Sequence, residues 1–514
     1  MTRTLFTADQ ARALDALACA GGFHPHALVE AAGRCAAEAL VRALPGLFAG
    51  APPRIAAFAG AGNNAADGIV LLRTLILRGL TTPDRVTVFT HKAPAAGSPR
   101  GDALASLVSM GAALRPPDGA ALGSGDLALD CISGTGLKGP LEGAALGLAE
   151  ALARSDAPVV SLDIPSGISD HWQPGQPAVK AGITLAIEPL KACLYTPASR
   201  PAAGRIVPVE GIFPPSFLSP AAGDAPILCD WNSARAFIAP VPPDAHKYLR
   251  GFCEIHAGSP GFSGAPVIAA RGAQAAGAGL TRLVSDAEVF PILAARAPAG
   301  VMVSPEDRNP VGAPDALLLG PGWGQAADRA DTLARAFALE AYGVPLILDA
   351  DAIALARDAL FQGSAILTPH LGEFARYLGL NKSDILAAPW PLLKKTAREK
   401  NAIIILKSHI MMIAAPDGRT AVVDGMTPAL AAGGSGDLLA GLCAGLAARV
   451  RAPLRAKALG EAPASPPPRP DLFPCAAAAA ALLVEAAART GPRFTDPLET
   501  ADAAAAAAGE AWLC

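Results

Sequence analysis

Residues 54–70 read Arg-Ile-Ala-Ala-Phe-Ala-Gly-Ala-Gly-Asn-Asn-Ala-Ala-Asp-Gly-Ile-Val. An apolar run enters two glycines and then a stretch with helical spacing. Glycines let the backbone turn sharply and approach a ligand. The helix that follows offers unpaired N–H groups and a partial positive charge to an anion. The reading is strand, tight turn, helix. From Arg54 to Val209 such runs recur, with strands expected over Arg54–Ala59, Arg85–Thr90, Leu127–Ile132, Pro158–Ile164, Ile183–Ile187 and Arg205–Val209. Several are apolar throughout, as strands covered on both faces must be. The fold class is therefore α/β, a parallel sheet between helices. Thr7-Ala-Asp-Gln10 fits a capping box before a helix over Ala11–Ala20, and a second helix runs from about Ala27 to Ala43.

Between Gly211 and Pro243 the composition shifts to Gly-Ile-Phe-Pro-Pro-Ser and Val-Pro-Pro-Asp, a loop-rich join. A second alternating series follows: Glu254–Ala257, Leu280–Val284, Ala316–Leu319, Pro345–Leu348, Ala365–Leu367 and Ala402–Leu406. Met411–Ala415 and Thr420–Val423, joined by Pro416-Asp-Gly-Arg419, read as a hairpin. Two α/β domains are expected, 1–222 and 223–514. Arg451–Pro474 is Pro-rich and reads as a surface insertion, and the Ala-rich tracts after it as helix.

The 514 residues carry a net charge of −3, which argues against nucleic acid or an anionic membrane as partner. A hydrophobic content of 52% excludes a mostly disordered chain. The longest apolar tract, Cys475 to Val484, falls short of the ~18 residues a span needs. Asp9, Arg12 and Asp15 interrupt any signal-peptide pattern. The nine cysteines form no CxxC pair and are odd in number, so reduced thiols and a cytoplasmic location are expected. A homo-oligomer is expected on the general frequency of symmetric assemblies. No zinc spacing and no GxxxxGK[ST] loop occurs, so any nucleotide is held by another architecture.

Gly60-Ala-Gly62-Asn-Asn-Ala65 also meets the loose GxGxxA form of a dinucleotide fingerprint. That form needs an acid at the end of the second strand, and Asp84 instead precedes Arg85–Thr90. Two further loops follow strands of the same series, Asp130-Cys-Ile-Ser-Gly-Thr-Gly-Leu-Lys-Gly-Pro140 and Asp163-Ile-Pro-Ser-Gly167. Ligands of open α/β sheets bind beyond the carboxyl ends of the strands, so the three loops can line one site. Lys138 and Asp163 are then a candidate proton-transfer pair. Taken singly, Lys138 reads equally as a solvated loop lysine and Asp163 as a helix cap. In the second half, Gly320-Pro-Gly-Trp-Gly324, Leu348-Asp-Ala-Asp351, Leu367-Thr-Pro-His-Leu-Gly-Glu373 and Ala432-Gly-Gly-Ser-Gly-Asp-Leu-Leu-Ala-Gly441 stand out. Gly433-Gly-Ser-Gly436 opens a helix whose N–H groups can cradle a phosphate or a developing oxyanion. Asp437, in its first turn, can reach a substrate hydroxyl as a base, or serve only the helix dipole.

The order of these motifs resembles that of the bifunctional NAD(P)H-hydrate repair enzymes, from Thr7 to about Leu446. The resemblance implies a Rossmann-like epimerase domain followed by a ribokinase-like, ADP-dependent dehydratase domain. It places Asn63, Asn64, Ala65, Ala66 and Asp67 where the family has its NNGGD substrate loop. Two family glycines are alanine here. Gly134, Thr135, Gly136, Leu137, Lys138, Gly139, Pro140 and Asp163 would line the rest of that site, with Lys138 and Asp163 moving protons. Asn64, Asp130 and Ser166 would hold a potassium ion. In the second half Ala265, Gly322, His370 and Asp437 match positions that hold the (6S) hydrate. Lys407, Ser408, His409, Ile410 and Met411 stand in the KGxxT nucleotide segment, with Gly436 as a further nucleotide contact.

The activity so implied is repair of NADHX and NADPHX, the nicotinamides hydrated across C5–C6. The first domain would interconvert the R and S hydrates. The second would phosphorylate the S-hydrate hydroxyl from ADP and eliminate it, giving NAD(P)H, AMP and phosphate. Asp437 would deprotonate the hydroxyl, and the Gly434–Gly436 N–H groups would stabilise phosphoryl charge. Magnesium is expected at the nucleotide. Rival readings are a ribokinase-type small-molecule kinase and a non-catalytic dinucleotide-binding sensor.

Overall fold

The computed structural model describes residues 3–91, 94–117, 122–222, 224–305, 313–326, 329–461, 468–491 and 496–513. The chain divides into two compact units, Thr4–Ala225 and Pro226–Cys514 with Met1–Arg3.

The first unit holds seven parallel strands in the order Ala113–Arg115, Val86–Phe89, Ile55–Ala59, Leu127–Cys131, Val159–Leu162, Ile183–Ile187, Arg205–Val209. The chain builds outward from Ile55–Ala59 in one direction, then returns and builds outward in the other. The reversal falls between Ile55–Ala59 and Leu127–Cys131, where Ala59 pairs with Cys131. The loops leaving these two strands must diverge, which opens a crevice. Gly60 makes their first contact possible: a Cβ there would lie 1.8 Å from the Ile132 carbonyl oxygen. Helices Pro25–Ala43 and Asn63–Leu77 pack together and bury Val29, Ala36, Leu40, Ile69 and Leu72 over the sheet. The expected capping box is present, with Thr7 N donating to Gln10 Oε1 at 2.9 Å and Gln10 N to Thr7 Oγ1 at 3.1 Å. The helix begins at Ala8.

The second unit obeys the same rule. Val301–Pro305, Leu280–Ser285, Phe252–His256, Ala316–Leu319, Leu346–Leu348, Ala365–Leu367 and Ile403–Leu406 run parallel in that order. The antiparallel hairpin Ile410–Ala414 and Thr420–Asp424 extends the sheet, followed by Ile227–Leu228. Its reversal lies between Phe252–His256 and Ala316–Leu319. Helix Ser435–Glu461 crosses helix Gly264–Ala275 at backbone contact distance. A Cβ on Gly441 would sit 2.1 Å from the Ala269 carbonyl oxygen, and one on Gly445 2.4 Å from that of Ala273. Small residues at this crossing let the start of the long helix approach the loop before Gly264.

Three expectations need correction. Strands Ala113–Arg115 and Val301–Pro305 escape the pattern because they are sheet margins with half-exposed side chains. Arg451–Glu461 is no insertion: the long helix runs on through Pro453. Arg455 Nε anchors it at 2.6 Å to Asp315 Oδ1, and Asp315 Oδ2 accepts from Phe252 N at 2.9 Å. Residues 462–467, the core of the Pro-rich stretch, lie outside the described residues. Finally, Phe473–Thr490 is by length and composition apolar enough to cross a membrane, longer than the ten-residue tract read from sequence. Here it is a core helix, with Cys475 to Leu482 buried against Pro497–Trp512 and Ser435–Glu461.

Candidate active sites

In the first unit the diverging loops open onto a cavity of about 610 Å³. Asn63, Asn64, Asp67, Gly134, Thr135, Gly136, Leu137 and Asp163 line it. Ala65 and Ala66 do not: both lie in the first turn of Asn63–Leu77, fully buried, and neither has a positive φ. Alanine is therefore unstrained where the family has glycine. Lys138, Gly139 and Pro140 are exposed and outside the lining. Asp163 follows strand Val159–Leu162 with φ +66, a left-handed conformation that aims its carboxylate at the loop of Gly134. A Cβ on Gly134 would be 3.0 Å from Asp163 Oδ2 and 3.3 Å from Asn64 Cβ.

The structure pairs Asp163 with Lys191, not with Lys138. Lys191 Nζ lies 2.5 Å from Asp163 Oδ1 and donates to the Ile187 carbonyl oxygen at 2.8 Å. Both side chains are buried. Asp15 and Arg12, from helix Ala8–Ala20, also line the cavity, and the Arg12 guanidinium donates to the Thr135 carbonyl oxygen. Burial raises the pKa of Asp15, opposed by Lys191 and reinforced by Asp163. Burial raises Asp67 well above the usual carboxylate range, with Asp163 and Asp15 adding to it. Lys191 and Asp15 carried no motif. Lys191 had one signal, a lysine just beyond the carboxyl end of a predicted strand, Ile183–Ile187.

Behind the cavity Asp130 is wholly buried. It accepts from Ser161 Oγ at 2.7 Å, Ser166 N at 2.9 Å and Ser166 Oγ at 2.5 Å. Burial raises its pKa, and these bonds oppose the rise. Asn64 Nδ2 donates to the Ser133 and Leu162 carbonyl oxygens at 2.9 and 3.1 Å, which leaves its buried Oδ1 without a donor. An orphaned amide oxygen near a buried carboxylate suits a hard monovalent cation.

In the second unit Ala265 and Gly322 meet at the crevice. A Cβ on Gly322, at φ +57, would be 3.4 Å from that of Ala265. His370 caps helix Leu371–Leu378, its Nδ1 accepting from Gly372 N at 2.9 Å and Glu373 N at 3.2 Å. Ser408 folds onto its own loop, accepting from Ile410 N at 3.0 Å. His409 is half-buried, and Ile410 and Met411 are buried in the hairpin. Lys407 alone of this segment reaches the glycine loop: a Cβ on Gly436 would lie 3.1 Å from its Nζ. Lys407 Nζ also lies 2.5 Å from Asp349 Oδ1, which accepts from Thr368 Oγ1 at 2.7 Å. Burial disfavours the Lys407 ammonium, but Asp349, Glu373 and Asp437 outweigh it and raise its pKa. Burial, Asp349 and Glu373 push Asp437 up to about 7 against the pull of Lys407. Asp349 and Thr368 lie in two stretches singled out at strand ends, Leu348–Asp351 and Leu367–Glu373, without being picked as site residues.

Comparison with known proteins places both halves. A family described as NAD(P)H-hydrate dehydratase matches residues 254–464, and one described as YjeF-related protein N-terminus matches residues 25–193. The bifunctional NAD(P)H-hydrate repair enzyme Nnr of Gloeobacter violaceus is 32% identical over 470 residues, 85% of this chain and 88% of that protein. Its counterpart in Moorella thermoacetica is 31% identical, over 85% of this chain and 87% of that one. Among solved structures, an ADP/ATP-dependent NAD(P)H-hydrate dehydratase from Bacillus subtilis, co-crystallised with ATP/Mg2+, is 23% identical. It covers 55% of this chain and 97% of its own, with a TM-score of 0.47.

Proposed function

The chain belongs to the bifunctional NAD(P)H-hydrate repair enzymes, and on that premise we propose how its two sites divide the work. The first interconverts R- and S-NAD(P)HX, and the second dehydrates the S form. Each site lies at the topological reversal of its own sheet, and each contains a carboxylate suited to proton transfer.

At the second site Asp437 acts as base on the substrate hydroxyl. Its pKa of about 7 lets it take a proton at neutral pH and hold it through the step. Hydroxide leaves poorly, so the hydroxyl is first phosphorylated from ADP. The start of Ser435–Glu461, with Lys407 beside Gly436, stabilises the charge on the moving phosphoryl group. Ala265, Gly322 and His370 line the hydrate's side. Magnesium accompanies the nucleotide's phosphates in this reading. At the first site Asp163 and Asp67 face the hydrated ring. Asn64, Asp130 and Ser166 would hold potassium, whose charge would fix the loops that carry them.

The observation that carries the dehydratase assignment is Asp437, directly after the glycine loop, beside the Lys407–Asp349 pair. The test uses mixed R and S NADPHX and follows recovery of reduced-nicotinamide absorbance with ADP, with ATP and with neither. Complete, nucleotide-dependent recovery of both epimers is expected. Recovery that stops when the S form is spent would overturn the epimerase half. No recovery with either nucleotide would overturn the dehydratase half.

A further inference from the structure

We infer that Lys191 is the positioning residue of the first site, pairing with the Asp163 carboxyl and holding it aimed at the substrate, and that Lys138 has no part in proton transfer there. The inference rests on the epimerase reading and adds a residue to it.

The chemistry sets the requirement. The hydrated C6 bears a hydroxyl and is bonded to ring nitrogen N1. In exchange, the C6–O bond breaks as the N1 lone pair closes onto C6, and the hydroxyl leaves as water with a proton from a cavity carboxyl, Asp15 or Asp67, whose pKa burial raises. A water then adds to the opposite face, the N1=C6 pair returns to nitrogen, and the entering water gives up one proton. One water leaves and one enters, one proton is spent and one returned. A carboxyl group aimed at the entering water must stand ready for that second proton.

The cavity must hold that one carboxyl in place among several. Asp15, Asp67, Asp163 and Glu188 all line it. Glu188 Oε2 is turned to the backbone, accepting from Gly211 N and Ile212 N, each at 3.1 Å. Of the two cations in the lining, Arg12 is committed to Asp9 and to the Thr135 carbonyl oxygen. Lys191 is the one that meets Asp163, at 2.5 Å, with its own side chain 3% exposed. The Ile187 carbonyl oxygen holds the ammonium from the other side at 2.8 Å. Asp163 for its part is held at φ +66, a conformation that costs a non-glycine residue energy and persists where the surroundings fix it.

Stability alone explains this pair poorly. Burying a lysine and an aspartate together recovers little over an apolar pair of the same volume. Placement explains it better: Lys191 lies beyond the carboxyl end of Ile183–Ile187, and Asp163 directly follows Val159–Leu162, the neighbouring strand. Both therefore belong to the row of strand ends that forms such crevices. Lys138 is exposed and outside the lining.

The test measures R-to-S exchange in the full chain, with ADP-dependent dehydration of pure S-hydrate as the internal control. Lys191→Met should lower kcat for exchange by about 100-fold or more, leave KM within about threefold, and leave dehydration unchanged. Lys138→Met should keep exchange within about threefold. Lys191→Ala should recover rate when methylammonium or ethylammonium is added, which a purely structural role would not allow. If Lys191→Met unfolds the first unit, Lys191→Arg decides, with rescue to within about tenfold of wild type expected. Near-normal exchange in Lys191→Met, a larger loss in Lys138→Met, or failure of added amine to restore Lys191→Ala would overturn the assignment. Wild-type protein with no exchange above the spontaneous rate would instead overturn the epimerase reading beneath it.

Discussion

Asp437 shows what a single residue can be asked to do. Its folded pKa of about 7 stands above the 3.8 of a free aspartate because burial, Asp349 and Glu373 disfavour the anion. A raised pKa means that the folded state binds the proton more tightly than the unfolded one. The stability this contributes is complete below about pH 4 and is lost as pH rises to about 7. Asp437→Asn never ionises and escapes that loss. At about 1.4 kcal/mol per pH unit between the two values, the variant should gain on wild type by roughly 4 kcal/mol between pH 4 and 7, and by nothing more above. Denaturant melts at pH 4.5, 6 and 8 would show it; a pH-independent difference would refute the assigned pKa. The same variant should lose ADP-dependent dehydration by about 100-fold or more, while wild-type turnover rises through about pH 7 as the base ionises. Asp437 was legible because glycines and acid are contiguous in Gly433–Asp437. Asp349 and Lys191 were not, because each meets its partner across intervening strands or helices: Lys407 is 58 residues from Asp349, and Lys191 is 28 from Asp163. Lys138 shows the opposite case, a residue picked from its neighbours in sequence that the fold leaves exposed and outside the cavity lining.

Elements carried more of the message than single residues. Buried parallel strands such as Ile183–Ile187 and Ala316–Leu319 were visible because both faces are covered and the run is wholly apolar. Ala113–Arg115 and Val301–Pro305, at the margins, have no such signature. Helix Asn63–Leu77 settles a question the motif left open. Ala65 and Ala66 take helical backbone with their methyl groups buried, so restoring the family glycines removes helix preference and packing without opening the cavity. Ala65→Gly with Ala66→Gly should cost about 2 kcal/mol and leave the exchange rate unchanged. A faster exchange in the double variant would mean that the alanines do restrict the substrate. At the other site the crossing of Ser435–Glu461 with Gly264–Ala275 sets where the glycine loop stands. Gly441→Ala puts a methyl group 2.1 Å from the Ala269 carbonyl oxygen, so the helices must part. A loss of about 1–3 kcal/mol is expected. Dehydration should fall with it, since the helix start moves relative to Ala265, while exchange is spared. Calorimetry and the two separate assays would check this.

At the scale of the whole molecule, one topological rule is used twice. Each unit builds its sheet outward from a first strand and reverses, and both proposed sites fall at that gap, so the α/β class could be read from the strand runs and their loops. The residues proposed for each site come from one unit: Asp163, Lys191 and Asp67 from the first, Asp437, Lys407 and Asp349 from the second. The S-hydrate passed between the activities is itself one of the two starting epimers, so it is already a species of free solution. The two activities should therefore complement between separate chains. Asp163→Asn alone should recover absorbance from a mixed hydrate pool only until the S form is exhausted, and Asp437→Asn alone should recover none. An equimolar mixture of the two variants should carry recovery to completion, with dehydration supplied by one chain and exchange by the other. The final extent should match wild type. The rate should follow the concentration of each variant separately, because the hydrate crosses between chains through solvent. Recovery that halts at the S fraction despite active single variants would mean that the hydrate is handed over within one chain, and the independence of the two sites would have to be abandoned.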